Sequence, residues 1–255
     1  MLELIKKLSL LNGTSGREDE VRSFIIDEVK DYADSIETDP LGNLIVFKKG
    51  KEAPKNRVML DAHADEVGFM ITNINSDGTL SFERIGGIDK RVMIGRAVSV
   101  GENKINGVTG IKPIHFVRGD DRLAMPEKMY IDIGADSAEE AEKLVFPGDC
   151  AYFNSEFVEF GDGFIKGKAL DDRAGCAIML AMILENALPY DCTFAFETQE
   201  EIGLRGARTA AFDIEPDFAL VLEATTAADV PLSEGDKRCC ILGEGPVVSC
   251  MDRRT

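Results

Sequence analysis

Val58-Met59-Leu60-Asp61-Ala62-His63-Ala64-Asp65-Glu66 sets a short β-rich run, Arg57 to Leu60, directly against one imidazole and three carboxyl groups. Upstream, Leu44 to Phe47 follows a Pro40-Leu41-Gly42-Asn43 turn and reads as another strand. Two helices come before it. Leu4, Ile5, Leu8 and Leu11 recur at helical spacing and stop at Asn12-Gly13-Thr14-Ser15-Gly16, while Val21, Phe24, Ile25 and Val29 form the apolar face of the second helix. Ser15 and Glu18 have the spacing of a capping box for that second helix, and Asp19 and Glu20 suit its positive start.

Downstream the texture changes. From Val67 to Glu159, short β-like segments alternate with Gly, Asn and Asp turns, which reads as an inserted, mostly β module. Within it Ser137 to Leu144 is predicted to be helical, with Ser137 and Glu140 as its capping box. From Lys168 onward the pattern is helix (Ala174 to Asn186), strand (Thr193 to Glu197), helix (Leu204 to Phe212), strand (Phe218 to Leu222). That alternation predicts an α/β fold built around a mixed or parallel sheet. The expected division is an α/β domain from 1–66 and 160–255, with 67–159 inserted into it.

The chain has 255 residues, 44% of them hydrophobic, with 29 Lys plus Arg against 46 Asp plus Glu and a net charge of -17. It is long enough for a sizeable core without disulfide or metal staples. An acidic surface repels phosphate backbones and anionic membranes, so neither nucleic acid nor membrane is an expected partner. The longest fully apolar run, Cys176 to Leu184, is nine residues, well short of the ~20 that span a bilayer. Met1 to Lys7 has an early acid, helical spacing and no small-residue cleavage site, so a cytoplasmic location is expected. The six cysteines show no Cys-x-x-Cys spacing and are expected to be reduced.

Four polar clusters follow apolar strands or open helices: Asp61 to Glu66, Asp171-Asp172-Arg173, Glu200-Glu201, and Glu223 after Phe218 to Leu222. Ligands in open α/β sheets bind beyond the carboxyl ends of the strands, so these clusters are candidates to meet. Each also has a plainer reading. Asp171 or Asp172 could cap the Ala174 helix, Glu200-Glu201 could favour the helix near Leu204, and a lone His63 could simply be packed. Glu223 is harder to set aside, because an acid ending five apolar residues is expected to be partly buried and to need a partner. Several carboxylates around one imidazole repel one another unless a cation sits among them. Zinc takes His and carboxylate ligands, and cobalt and manganese fit the same set. In His63-x-Asp65 the carboxylate can accept the second ring N–H of a ligating imidazole, so Asp65 orients rather than ligates. Of Glu200-Glu201, one can ligate while the other acts as general base.

Taken together, Asp61-Ala62-His63-Ala64-Asp65-Glu66-Val67-Gly68, Ala169-Leu170-Asp171-Asp172-Arg173-Ala174-Gly175-Cys176, Gln199-Glu200-Glu201-Ile202-Gly203-Leu204-Arg205-Gly206-Ala207 and Leu222 to Asp229 resemble the glutamyl or tetrahedral aminopeptidases, some of which carry the label cellulase M. The resemblance implies a zinc-peptidase-like, three-layer α/β catalytic domain interrupted by a β-barrel lid and assembly domain. It implies an aminopeptidase acting on peptides with two divalent metal ions, zinc or cobalt, or else manganese. Carried over by position, His63 and Glu223 hold one ion, Asp171 bridges, and Glu201 holds the other. Glu200 falls at the general base, Asp65 at the residue that orients the histidine, and Asp172 follows Asp171 across a peptide bond expected to be cis. The family's large assemblies imply a homo-oligomer built through the inserted module.

Members of the family continue with further elements and a last histidine ligand, whereas this sequence reads to Thr255 and has two histidines. The expectation is thus a C-terminally shortened form, with the alternative of a chain that binds metal or a partner without turnover. His115 is expected to have a structural or lid role. A glycoside hydrolase, using paired acids and no metal, is the second alternative.

Overall fold

The structure, a computed structural model, describes residues 1–116, 128–231 and 240–249. The first helices are α1 (Leu2–Leu10) and α2 (Asp19–Val29), and they bury Leu8, Val21, Ile25 and Val29 as the periodicity predicts. The capping box does not form. Glu18 is the N-cap residue without a side-chain cap bond, and the Ser15 hydroxyl donates instead to Asp65. Strands β1 (Ser35–Thr38) and β2 (Leu44–Lys48) pair as a hairpin. Its turn is held by Asp39, whose Oδ1 accepts from the amides of Leu41, Gly42 and Asn43.

Strand β3 runs Val58–His63, three residues beyond the predicted run, so Asp61 and His63 lie within the strand rather than after it. The register explains the extension: β3 lies between two parallel neighbours, which are met later in the chain. The chain then builds β4 (Gly68–Ile74), β5 (Leu80–Ile85), β6 (Ala97–Val100), β7 (Ile105–Ile111) and β8 (Met129–Asp132). A one-turn α3 (Ala138–Ala141) and β9 (Cys150–Phe153) follow. The six strands close into a barrel in the order β4-β5-β8-β7-β6-β9. Phe69, Ile71, Leu80, Phe82, Val98, Val100 and Ile131 fill it at alternating strand positions, and Phe69 meets the edges of Phe82 and Phe153 at 4.7 and 5.0 Å. α3 is shorter than predicted, although Ser137 does cap it by accepting from the Glu140 amide. His115 is exposed on the short turn Ile114–Phe116.

A hairpin of β10 (Val158–Phe160) and β11 (Phe164–Lys166) leads back to α4 (Leu170–Glu185), then β12 (Cys192–Glu197), α5 (Arg205–Ile214) and β13 (Phe218–Val221). The sheet order is β1-β2-β12-β3-β13, and β12 and β13 run parallel to β3 on either side of it. Alternation sorts the side chains by layer. Leu44, Val46, Leu60, Ala62, Phe194 and Phe196 pack with Leu180 and Ile183 of α4, whereas Met59 and Ala195 pack with Ala210 of α5. The result is the expected α/β layer arrangement with a β-barrel between β3 and α4. Among the described residues no helix is long and apolar enough to cross a membrane, and Cys150, Cys176, Cys192 and Cys240 are free.

Where the chain leaves the sheet for the barrel and returns, buried charges tie the crossing. Lys168 Nζ donates to Glu66 Oε1 at 2.6 Å and to Leu11 O at 2.7 Å, and the Gly13 amide donates to the same Glu66 oxygen at 3.0 Å. Arg173, fully buried, donates to Ala64 O at 2.9 Å and Leu8 O at 2.7 Å. Burial pushes the Lys168 ammonium downward, and the Glu66 carboxylate opposes that shift. Removing Glu66 takes the facing carboxylate from two buried cations, Lys168 at 2.6 Å and Arg173 at 3.8 Å. Glu66→Ala is therefore expected to cost about 3–5 kcal/mol in urea unfolding, and a loss below about 1 kcal/mol would show that the crossing does not depend on this pair.

Candidate active site

His63 ends β3, and Glu197 stands beside it in register at the end of β12. Because β3, β12 and β13 are parallel, their carboxyl ends share one edge of the sheet, where three polar segments follow them: 64–66, 198–204 and 222–224. The His63 ring is 3% exposed. Its Nδ1 faces Asp65 Oδ1 at 3.3 Å. On the other side, Nε2 lies 3.0 Å from Asp171 Oδ1, 3.7 Å from Glu223 Oε1 and 4.0 Å from Glu200 Oε2. One imidazole therefore stands between a buried orienting carboxylate and three acids.

Asp65 is completely buried. It accepts the Ser15 hydroxyl at 2.5 Å and the amides of Glu200 and Glu201 at 3.0 and 3.2 Å. Burial would raise its pKa, but the facing His63 ring and the Ser15 hydroxyl outweigh that and hold the carboxyl below its ordinary value. Asp171 and Asp172 precede the regular part of α4: both have non-helical backbone angles, and the peptide between them is cis, as the resemblance implied. Asp172 does serve as a cap, its Oδ1 accepting from the Gly175 amide at 3.2 Å. Asp171 does not; it faces His63. Glu223 follows β13 and is partly buried with a partner, as expected: its side chain is 43% exposed and its Oε1 lies 3.7 Å from His63 Nε2, although Phe218, Leu220 and Val221 of β13 are themselves exposed.

Ligand-type atoms of His63, Asp171 and Glu201 lie within 4.8 Å of one another, and so do those of His63, Asp172 and Glu223. The donor set of one imidazole nitrogen with carboxylate oxygens fits a divalent ion such as zinc. All six residues singled out from the sequence meet at this one edge. Asp172 joins them as a second donor near Glu223. Two buried acids went unremarked as a pair: Asp61 and Glu197, 6% and 2% exposed, lie under the same edge on adjacent strands. Burial pushes Asp61 up to about 6 and Glu197 up to about 9, where the neighbouring Asp61 adds to the rise. The clue was available, since Glu197 ends an apolar strand as Glu223 does.

A family model described as M42 glutamyl aminopeptidase matches residues 42–255. The chain belongs to that family. A relative from Acetivibrio thermocellus with a provisional aminopeptidase name is 42% identical over 254 residues, covering 99% of this chain and 74% of its own. A solved structure from Thermotoga maritima, described as an endoglucanase, is 37% identical with a TM-score of 0.84 and covers 98% of this chain and 75% of its own. The TET1 peptidase of Pyrococcus horikoshii, described as assembling into a tetrahedron or a large octahedral shell, is 37% identical with a TM-score of 0.79, covering 92% and 73%. By its family this M42 chain is an aminopeptidase, and its fold is the one the resemblance implied.

Three acids of the M42 site, Asp172, Glu201 and Glu223, are held above the ordinary carboxyl range. Burial, first of all, raises Glu201 and Glu223 to about 7 and Asp172 to about 8. For His63, burial alone would lower the pKa, but Asp171 and Asp65 prevail and lift it to about 11. Every one of these groups holds its proton to higher pH in the folded chain than in the unfolded one. Their contribution is thus present below the ordinary values and lost as pH rises through the folded ones. Asp65 and Asp171, which are lowered, change charge below that window. The chelator-treated chain is expected to be less stable to urea at pH 9 than at pH 6, with zinc restoring more at pH 9 because it displaces protons. Equal or greater metal-free stability at pH 9 would contradict this electrostatic picture.

Proposed function

We propose that this M42 chain is a metal-dependent aminopeptidase that removes N-terminal residues from peptides. The observation that carries the reading is the ring of His63, with Asp171, Glu223 and Glu200 within 4.0 Å of one nitrogen and Asp65 against the other. His63, Asp171, Glu201 and Glu223 would hold two divalent ions, zinc or cobalt, with manganese suited to the same donors. Such ions supply a Lewis acid for the scissile carbonyl and make water more acidic. The remaining work falls to side chains. Glu200, whose amide is fixed on Asp65, takes a proton from the attacking water on its carboxylate and passes it to the departing amine. Asp65 holds the His63 ring so that Nε2 stays among the acids. Both proton positions are then set by one buried carboxylate.

Residues 1–66 and 160–255 would form the catalytic domain and 67–159 an inserted barrel, through which copies of the chain would associate, in keeping with the assemblies described for the Pyrococcus relative. The location is cytoplasmic. A glycoside hydrolase gives the imidazole at the centre of the acids no part to play, and metal removal separates the two chemistries. Hydrolysis of aminoacyl-p-nitroanilides is expected to vanish with a chelator and return with zinc or cobalt; activity that persists without metal would overturn the reading. Glu200→Gln is expected to lower kcat by about 10²–10⁴-fold while zinc affinity stays unchanged. Turnover within threefold of the parent would remove Glu200 from the proton-transfer role.

A further inference from the structure

Ser15 spaces with Glu18 as a helix cap, yet neither residue caps α2 through its side chain. Both turn toward the active-site edge. The Ser15 hydroxyl donates to Asp65 Oδ2 at 2.5 Å. Glu18, 3% exposed, accepts on Oε1 from the amides of Gly16 at 2.7 Å and Gln199 at 3.2 Å. Gln199 has a φ of 56°, a left-handed conformation that a non-glycine residue keeps only when its surroundings hold it. The segment carrying Ser15 is itself anchored: the Gly13 amide donates to Glu66 Oε1 at 3.0 Å, Gly13 O accepts from the Glu66 amide at 2.9 Å, and Thr14 bridges to Glu66.

We propose that Ser15 is a positioning residue of the metal centre, acting through Asp65, with Glu18 bracing the same loop through Gln199. The inference rests on the metal-dependent reading above and extends it to a segment some 50 residues away in sequence from Asp65. Asp65 is the shared anchor. Its Oδ1 takes the Glu200 amide and faces the His63 ring, and its Oδ2 takes the Glu201 amide and the Ser15 hydroxyl. Among the described residues Ser15 is the one side-chain hydroxyl on this carboxylate. A bond to an ionised acceptor is about twice as strong as a neutral one. Without it, Oδ2 of Asp65 keeps only the Glu201 amide, and the carboxylate is freer to rotate off the ring, which loosens His63 and the Glu200-Glu201 loop together. Peptide binding, which these atoms do not make, is left largely as it was.

The test compares Ser15→Ala and Ser15→Thr with the parent in the full chain, after circular dichroism has shown that each is folded. Zinc affinity is read by competition with a chromophoric chelator, and kcat and KM are read separately on an aminoacyl-p-nitroanilide. Ser15→Ala is expected to bind zinc about tenfold more weakly, the lower end of the effect of residues that orient ligands, and to lose kcat with KM within threefold. Ser15→Thr, which keeps the hydroxyl, is expected to restore both. Zinc affinity in Ser15→Ala within twofold of the parent overturns the inference while leaving the metal-dependent reading intact. A parent chain that binds no zinc overturns both.

Discussion

The carboxylate of Asp65 is buried between an imidazole and the loop that carries two glutamates, and the site is organised around that one contact. Desolvating a carboxylate costs several kcal/mol, which the Ser15 hydroxyl, two backbone amides and the facing ring offset. Three separate stretches of chain thus converge on two oxygen atoms. Because Oδ1 serves both the ring and the Glu200 amide, the metal-facing nitrogen and the proposed general base share a common reference. A shift in either would disturb the other.

The fold supplies this convergence by topology. Parallel pairing of β12 and β13 with β3 brings their carboxyl ends to one edge, so residues 63, 197 and 223 become neighbours despite their distance in sequence. The barrel interrupts the chain immediately after this edge, and the return path delivers Asp171 to the same place. A long insertion is compatible with a fixed site because the crossing is tied by buried charges. Lys168, just before α4, and Arg173, in its first turn, hold Glu66 and Ala64 where the chain departs and Leu8 and Leu11 at the end of α1. The ends of the insertion are therefore pinned within the catalytic sheet, whatever the barrel does farther out.

Much of this was legible in the sequence, and the exceptions have physical causes. Helices α1, α2 and α4 and strands β2 and β12 announce themselves by periodicity, since each buries one face or lies within the sheet. The extent of β3 was not visible, because Asp61 and His63 are polar residues kept in the strand by pairing with β12. Ser15 and Glu18 carried a true helix-start spacing, but a buried carboxylate and a left-handed Gln199 compete for their polar atoms and win. Glu197 could be suspected as an acid ending an apolar strand, but its pairing with Asp61 depends on the register of β12 against β3, which composition does not carry. His63, Asp65, Asp171, Glu200, Glu201 and Glu223 were readable because four polar clusters stand together at strand ends and a helix start in the order of the aminopeptidase motifs, although each alone has a plainer reading.

Nε2 of His63 stands among three acids and Nδ1 faces Asp65, neighbours that favour a proton on the ring, so a metal ion bound there has to displace one. Calorimetric titration of zinc into the chelator-treated chain at pH 7.5, in two buffers of different ionisation enthalpy, counts the protons released. At least one proton is expected to be released for the first zinc bound, as the ring becomes a neutral ligand. Zinc binding without proton release, or no binding, would contradict it.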